Sequence, residues 1–443
     1  MAVPSSSLFF PATLLYSILP ITLPPSPYPG LKLPVLPLYS MAQPVLASRD
    51  TARSSDSSSL DGAATEKHKL ALNGVPSTTT TKTKKPRRSR SKRASSELNE
   101  TAAAPKRWKS FWSAFRYLSS LSQKQVDDFM ASYVIYNLDW SNEQAMVEVL
   151  GPNYQEKVGD CLKSYYGVLN HLCALGDVEK MYIPPSMSRK ATVLENQLLY
   201  ECSIAEDLQI KPGQRVLDLG CGRGRVAAHI ARVSGAHITG LNIDPNQIAQ
   251  AREFNEKAGF ANNAFVEQDF NSLPLPFDDQ TFDGFYQIQA FSLCKDLRAM
   301  CAEIFRILKP GARFSMLDWV SFPAYDPENP EHVALMRRVK PLIGAVGTPT
   351  PKLLEEALTD AGFTVERSDN ASLDGLQAPL IETVDTYFRT MRQVILGLVK
   401  IRVLPPHFKT LINRLCLDGE AFVEMDYKRL ITTSYRIIAL KPT

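Results

Sequence analysis

Apolar positions along this chain change their period from one stretch to the next. Trp108, Phe111, Trp112, Phe115 and Leu118 recur every three or four residues, as do Val134, Leu138 and Met146. That is the spacing of a buried helix face, so residues 107–190 are predicted to form a small helical subdomain. From about residue 190 to 325 short apolar runs alternate with helical periods. A helix over Ala191–Asp207 leads to the strand RVLDLG (Arg215–Gly220), a helix to about Val233, and the strand HITGLN (His237–Asn242). A helix from Pro245 to about Ala258 follows, then AFVEQD (Ala264–Asp269), FDGFYQIQ (Phe282–Gln289), a helix to Leu308, and RFSMLDWV (Arg313–Val320). A helix over Pro351–Asp360, GFTVER and a closing YRIIALKP complete seven strands. Strands and helices alternating at this interval predict an α/β fold: a doubly wound, mostly parallel seven-stranded sheet with helices on both faces.

The region before residue 107 breaks this pattern. Leu8–Pro25 is apolar but interrupted by Pro11, Pro20, Pro24 and Pro25 and lacks a positive n-region. It reads either as a targeting or anchoring segment or as an extension ahead of a start at Met41. Residues 48–105 are rich in Ser, Thr, Ala and Lys/Arg, a composition that buries too little apolar surface to offset its ordering entropy. Residues 1–106 are therefore expected to be a disordered or targeting segment. The run KTKKPRRSRSKR (Lys82–Arg93) carries eight cations and no acid, open to reading as a nuclear-import signal, an anionic-membrane patch or a solvated tail.

That run also changes the meaning of the net charge of +4. Without it the chain has 42 basic against 46 acidic residues, which argues against a folded domain built to grip nucleic acid. Seven cysteines show no C-x-x-C pair, and six histidines no H-x-x-x-H or H-x-E. No disulfide framework and no metal site is expected, and a reducing, cytoplasmic compartment fits better.

The chemistry concentrates in VLDLGCGRGRVAAHIA. A buried strand delivers Asp218, then Gly220, Gly222 and Gly224, and a helix starts at once. Glycines there permit a tight turn and close backbone approach to a ligand at the carboxyl edge of the sheet. The spacing G-x-G-x-G departs from the G-x-G-x-x-G of pyrophosphate-binding folds. Asn242 ends the second strand, where a ribose-reading side chain belongs. Asp269 is read as closing the third, with Phe270 beside it: a carboxylate for an exocyclic amine and an apolar neighbour for an adenine ring. LKPGARF (Leu308–Phe314) adds a helix end and a Pro-Gly turn before a strand.

Residues 191–325 resemble the class I S-adenosylmethionine-dependent methyltransferases, and among them the sterol C-methyltransferase family. The carrying motifs are LDLGCGRG, GLNIDPNQI, DFNSLPLPFDDQTFD, EIFRILKPGARF with DWV, and YDPENPEH. The resemblance implies the Rossmann-like methyltransferase fold and S-adenosyl-L-methionine as cofactor. It implicates Asp218, Gly220, Gly222, Gly224, Asn242, Gln247, Asp269 and Phe270 in holding it. The acceptor side departs from the family. Its Y-E-x-G-W-G run is missing from SYYGVLNHLCALGDVEKMYIPP, and where the family resembles I-E-A-T-C-H-A this chain has IQAFSLC, with Gln289 for the acid and Leu293 for the histidine.

The expected activity is methyl transfer to a small lipophilic acceptor, a sterol-like or isoprenoid compound methylated on carbon. N- or O-methylation of another natural product and a non-catalytic binding subunit are the alternatives. Methyl transfer from a sulfonium needs positioning and desolvation above all, and a base only where the acceptor must lose a proton. No catalytic residue is assigned. Glu195, Tyr286 and Phe291 are weak candidates, and Tyr165, Tyr166 and Trp319 further aromatics able to face a cation. Residues 191–443 are read as the methyltransferase domain, with a lid insertion at about 368–433. Its helix VDTYFRTMRQVILGLVKIRVL mixes an apolar face with Arg389, Arg392, Lys400 and Arg402, which suits a lid, a peripheral membrane contact or plain core packing. Oligomeric state is not legible.

Overall fold

A computed structural model describes residues 104–140, 142–176 and 178–443, with side chains from Phe111 onward. The N-terminal apolar, Ser/Thr-rich and basic stretches, and the side chain of Trp108, lie outside the described residues.

In chain order the helices are α1 (Ala104–Ser119), α2 (Gln123–Ala131), α3 (Glu143–Leu150), α4 (Tyr154–Leu175), α5 (Val193–Asp207), α6 (Arg225–Ser234), α7 (Pro245–Lys257), α8 (Leu297–Ile307), α9 (Pro330–Ile343), α10 (Pro351–Asp360), α11 (Ala378–Lys400), α12 (His407–Leu415) and α13 (Gly419–Tyr427). The strands are β1 (Arg215–Leu219), β2 (His237–Asn242), β3 (Ala264–Glu267), β4 (Phe282–Ile288), β5 (Leu308–Ser321), β6 (Thr364–Asn370) and β7 (Ile431–Leu440). They form one sheet in the order β3-β2-β1-β4-β5-β7-β6. All neighbours are parallel except β7, which runs antiparallel to β5 and β6. The order reverses between β1 and β4, and a doubly wound sheet opens its ligand crevice at that switch point, beyond the strands' carboxyl ends.

Central strands are apolar on both faces because helices cover both. Val216, Leu217 and Leu219 of β1 and Phe282, Phe285 and Tyr286 of β4 are all fully buried, as parallel sheets require. A second core lies outside the sheet. Phe129, Tyr136, Tyr165 and Leu172 of the N-terminal segment pack with Met391, Ile395, Phe408 and Leu411 of the insertion between β6 and β7. The His407 imidazole donates to Leu118 O at 2.8 Å, and Phe115 meets Phe408 at 6.0 Å between ring centroids. The N-terminal helices and the insertion thus form one apolar body.

Three boundaries differ from the sequence reading for local reasons. Residues Ser132–Asn137 wind as a 3₁₀ helix, whose three-residue turn buries Ile135 and Tyr136 and leaves Val134 42% exposed. The Pro-Gly turn before β5 falls inside the strand, since Gly311 N donates to Lys441 O and Leu308 already pairs with Phe282. β3 stops at Glu267, so Asp269 lies two residues beyond it, its side chain accepting from Asn271 N at 2.9 Å. Among the described residues no helix is long and apolar enough to cross a membrane.

Candidate active site

β1 ends in Asp218 and Leu219, and the chain turns so sharply that Gly220 N and Cys221 N both donate to Leu241 O of β2. The glycines of this turn do different jobs. Gly224 caps α6 with φ +68°, and a Cβ there would stand 2.6 Å from Asn255 Nδ2 and 2.9 Å from Ala251 Cβ. Protein packing alone demands that glycine. At Gly222 (φ +51°) a Cβ would meet only Gln247 Oε1, at 3.4 Å. The space above Gly222 opens on a cavity of about 80 Å³.

Around that cavity the sheet contributes Asp218, Gly220 and Ile288, α7 contributes Gln247, and α4 contributes Asn170. Gln247 is held by Asp244, the residue capping α7, whose Oδ2 accepts from Gln247 Nε2 at 3.1 Å. Asp218 is 3% exposed. Burial pushes its carboxyl up to about 7, and the neighbouring Tyr286 hydroxyl draws it partly back. No hydrogen bond of good geometry reaches Asp218 Oδ2, Tyr286 OH or Asn170 Oδ1, all of which are buried. Unsatisfied buried acceptors are costly, which marks a place where a ligand's donors complete the bonding.

The remaining wall is a strap over residues 178–188. Its anchor is Glu201 of α5, which has no exposed surface. Lys180 Nζ donates to both Glu201 oxygens at 2.7 and 2.6 Å, the Tyr182 hydroxyl donates at 2.8 Å, and His229 Nδ1 donates at 2.7 Å. Farther along, Gln289 accepts from Ile183 N and donates to Ile183 O and Thr433 O, both at 2.9 Å. Gln377 donates to Pro184 O, and Ser372 Oγ accepts from Ser186 N. The strap is thus tied to α5 at Lys180 and Tyr182, to the end of β4 at Ile183, and to the segment after β6 at Pro184 and Ser186.

Other residues singled out in the sequence take varied places. Asn242 stands at the end of β2 with its side chain accepting from Ile243 N. Phe270 packs between the sheet core and the helical core. Glu195 is exposed and spent as a helix cap, accepting from Thr192 N at 2.8 Å, away from the cavity. Tyr286 lies in the sheet core under the turn, and Phe291 packs on Phe285 and Phe314. Tyr165 belongs to the helical core with Tyr166 against it, and Trp319 is buried with Leu335 and Val339. The sequence reading passed over Asp318. It is 2% exposed near the end of β5, accepts from Phe291 N and Trp319 N at 2.8 Å, is pushed up to about 7 by burial, and adds its charge to the burial that raises the Tyr166 phenol. An acid inside the apolar run MLDWV was its available signal. Among the described residues no cluster could hold a metal ion.

Residues 210–357 match the family model of a methyltransferase domain. The chain is 35% identical over 241 residues to "Methyltransferase phqN" of Penicillium fellutanum, covering 54% of this chain and 68% of that protein. It is 31% identical over 312 residues to the "Cycloartenol-C-24-methyltransferase" of Arabidopsis thaliana, covering 66% of this chain and 91% of that one. The chain belongs to the S-adenosylmethionine-dependent methyltransferases, close to the sterol C-methyltransferase family. Among solved structures the [4+2]-cyclase SpnF shares the fold, with a TM-score of 0.50 at 20% identity over 64% of this chain and 95% of that one.

This methyltransferase uses S-adenosylmethionine as its cofactor, and the residues around Gly222 fit such a ligand. They offer room above a glycine, two unsatisfied acceptors suited to an ammonium, and a glutamine at the mouth. On the acceptor side its departures have physical meanings. Gln289, where the resembled family has an acid, uses both ends of its amide to clip the strap to β7. Leu293, where that family has a histidine, is buried in the helical core.

Two outcomes follow for this methyltransferase. Gly224→Ala should lose about 1–3 kcal/mol of stability through overpacking and strain. Gly222→Val, strained at φ +51°, should also lose about 1–3 kcal/mol, yet it alone should lose donor binding; paired thermal melts and calorimetric titrations separate the two, and equal donor affinities would refute the division. Gln289→Glu would aim a carboxylate at two carbonyl oxygens that now receive hydrogen bonds. A loss of about 2–4 kcal/mol is expected in urea denaturation, and an unchanged midpoint would mean that the clip does not hold the strap.

Proposed function

We propose that this methyltransferase methylates carbon in a large, mostly apolar acceptor of sterol-like or isoprenoid type. The observation carrying this reading is the apolar body over the sheet edge: Tyr165, Leu293, Val346, Met391 and Leu404 all belong to it. Such walls offer methylene and aromatic surface, which recognises hydrocarbon by area rather than by hydrogen bonds. The name of the Arabidopsis relative, with its C-24 methylation of cycloartenol, points the same way.

In this reading Asp218, Gly220, Gly222 and Gln247 hold the methionine end of the cofactor, Asn242, Asp269 and Phe270 hold its adenosine, and Gly224 sets the turn. When bound, S-adenosylmethionine supplies an activated methyl group. The strap and the helices of 107–190 and 368–433 keep water out and fix the acceptor, the contribution that an in-line displacement needs most. Asp318, with Tyr166 nearby, is the buried acid best placed to take up a proton from the acceptor side. Loading would occur from a lipid surface through the turn after α11. Ile401 and Val403 are 66% and 37% exposed there, alternating with Lys400 and Arg402.

Sterol precursors, linear isoprenoids and polar amine or phenol acceptors should be compared with purified enzyme and labelled donor. Turnover is expected with the lipophilic sets, and the double variant Ile401→Asp, Val403→Asp should slow it for acceptors in anionic vesicles but not in detergent. Methylation confined to small polar acceptors would overturn the lipid reading and favour N- or O-methylation. A second outcome concerns pH. Free Asp218 keeps its proton up to about 7, and only its ionised form attracts the donor's ammonium. Donor affinity should therefore rise between pH 6 and 8, until the donor's own α-amino group (pKa about 7.7–8.0) loses its proton. Because the folded value is raised, the free protein should lose stability over the window between the ordinary carboxylate range and about 7 as pH rises. Asp218→Asn should flatten both profiles; a wild-type affinity independent of pH would remove Asp218 from the site.

A further inference from the structure

Asn170 is out of keeping with its surroundings. It sits on α4 among Val168, Leu169, Leu172, Cys173 and Ala174, all buried, and is itself 4% exposed. A leucine there would continue the apolar face and leave nothing unpaired. Instead Asn170 Oδ1 is buried without a hydrogen-bond partner, an arrangement that is destabilising unless something completes it. Asn170 also lines the cavity above Gly222, together with Asp218, whose Oδ2 is equally unpartnered.

Two unsatisfied acceptors on one small cavity call for a ligand group with several N–H donors. A carboxylate or phosphate offers none and would be repelled by ionised Asp218. An alkylammonium carries three and is neutralised by Asp218, so the second contact is best made by an uncharged oxygen. Lys180 and Arg223 line the same cavity. Two of the three Lys180 donors are engaged by Glu201, which leaves one for a carboxylate beside the ammonium. The cavity wall therefore carries the complement of an α-amino acid. We infer that Asn170, from the N-terminal helical segment and outside every glycine-loop motif, is a binding residue for the α-ammonium of the cofactor's methionine tail, opposite Asp218. This rests on the donor site proposed above. It also gives α4 a direct role in donor recognition, so that segment is part of the binding site and more than packing for an acceptor.

The test is titration calorimetry on the full chain with Asn170→Leu. Four ligands separate the contributions: S-adenosylmethionine, S-adenosylhomocysteine, decarboxylated S-adenosylmethionine, which keeps the amine, and 5′-methylthioadenosine, which lacks the whole amino-acid tail. The three amine-bearing ligands should each bind roughly tenfold to a hundredfold more weakly to the variant. Methylthioadenosine should bind both proteins equally. The variant's melting temperature without ligand should be no lower than wild type, because an unpaired polar group has been removed from an apolar helix face. Should leucine not be accommodated, Asn170→Ala reads the same ligand difference. Equal losses for methylthioadenosine and the amine-bearing ligands would reduce Asn170 to a wall residue and overturn the inference. Losses confined to carboxylate-bearing ligands would overturn it too, by assigning the amide to the carboxylate. Unchanged S-adenosylmethionine binding in Asn170→Leu, with Gly222→Val abolishing it, sinks this inference alone; unchanged binding in Gly222→Val sinks the donor site itself.

Discussion

A fully buried carboxylate, Glu201, fixes the architecture of the site. It cannot stand alone in the protein interior, where an unpaired charge costs several kcal/mol. Its partners come from two other parts of the chain, Lys180 and Tyr182 from the strap and His229 from α6, while Glu201 itself belongs to α5. Gln197, one turn earlier on α5, adds hydrogen bonds to Lys180 O and Tyr182 O. The demand to satisfy one charge thus pins the strap against the helix that precedes β1. With that wall in place, the space over Gly222 becomes a walled cleft rather than an open sheet edge. Removing one partner would leave the Glu201 carboxylate buried with an unfilled acceptor, so the cluster behaves as a unit.

In the proposed reading, the division of the molecule into a donor and an acceptor half follows from what each is made of. Around Gly222 the wall is polar, with two unsatisfied acceptors, a partly engaged lysine and an amide held by Asp244. Beyond the end of β4 it is hydrocarbon and aromatic, built by helices from both ends of the described chain. Polar groups there are consumed by structure. Asp318 holds the Phe291–Leu293 turn through backbone N–H groups, and Gln289 ties three segments together. The polar half suits a zwitterionic ligand tail and the apolar half an acceptor with little to hydrogen-bond.

Much of this was legible in the sequence, for a physical reason. The sheet and its flanking helices are written in local periods, so strand order apart, β1, β2 and α10 fall where apolar spacing places them. The glycine turn was legible because its residue types have few other uses. The strap was not. Its hydrogen bonds join residues more than a hundred positions apart, such as Ile183 with Gln289 and Pro184 with Gln377, and nothing in its composition announces them. Asn170 was hidden likewise, since one polar residue in a helical period reads as an exposed position until burial is known. Glu195 shows the opposite case. A weak candidate base in the sequence, it lies three residues after Thr192 and completes a capping box there.

The clip made by Gln289 changes how the acceptor-side departures should be weighed. An acid replaced by an amide looks like lost catalytic capacity when only the sequence is in view. In the fold the amide is required: it donates to two carbonyls and accepts from one N–H, a set no carboxylate can serve. The residue at φ +54° is held there by those bonds, and β4 enters the Phe291–Leu293 turn from it. Gln289 is therefore committed to shape, and the burial of Leu293 commits that position to the hydrocarbon wall. Acid–base chemistry on the acceptor side, where an acceptor requires it, then has to come from a group that keeps a titratable proton near neutral pH. Asp318 meets that condition, because burial outweighs the three backbone N–H groups and the Gln287 side chain that favour its ionised form. In the proposed reading, the acid absent at position 289 and the acid buried at Asp318 belong to one site whose proton-handling group has a different address.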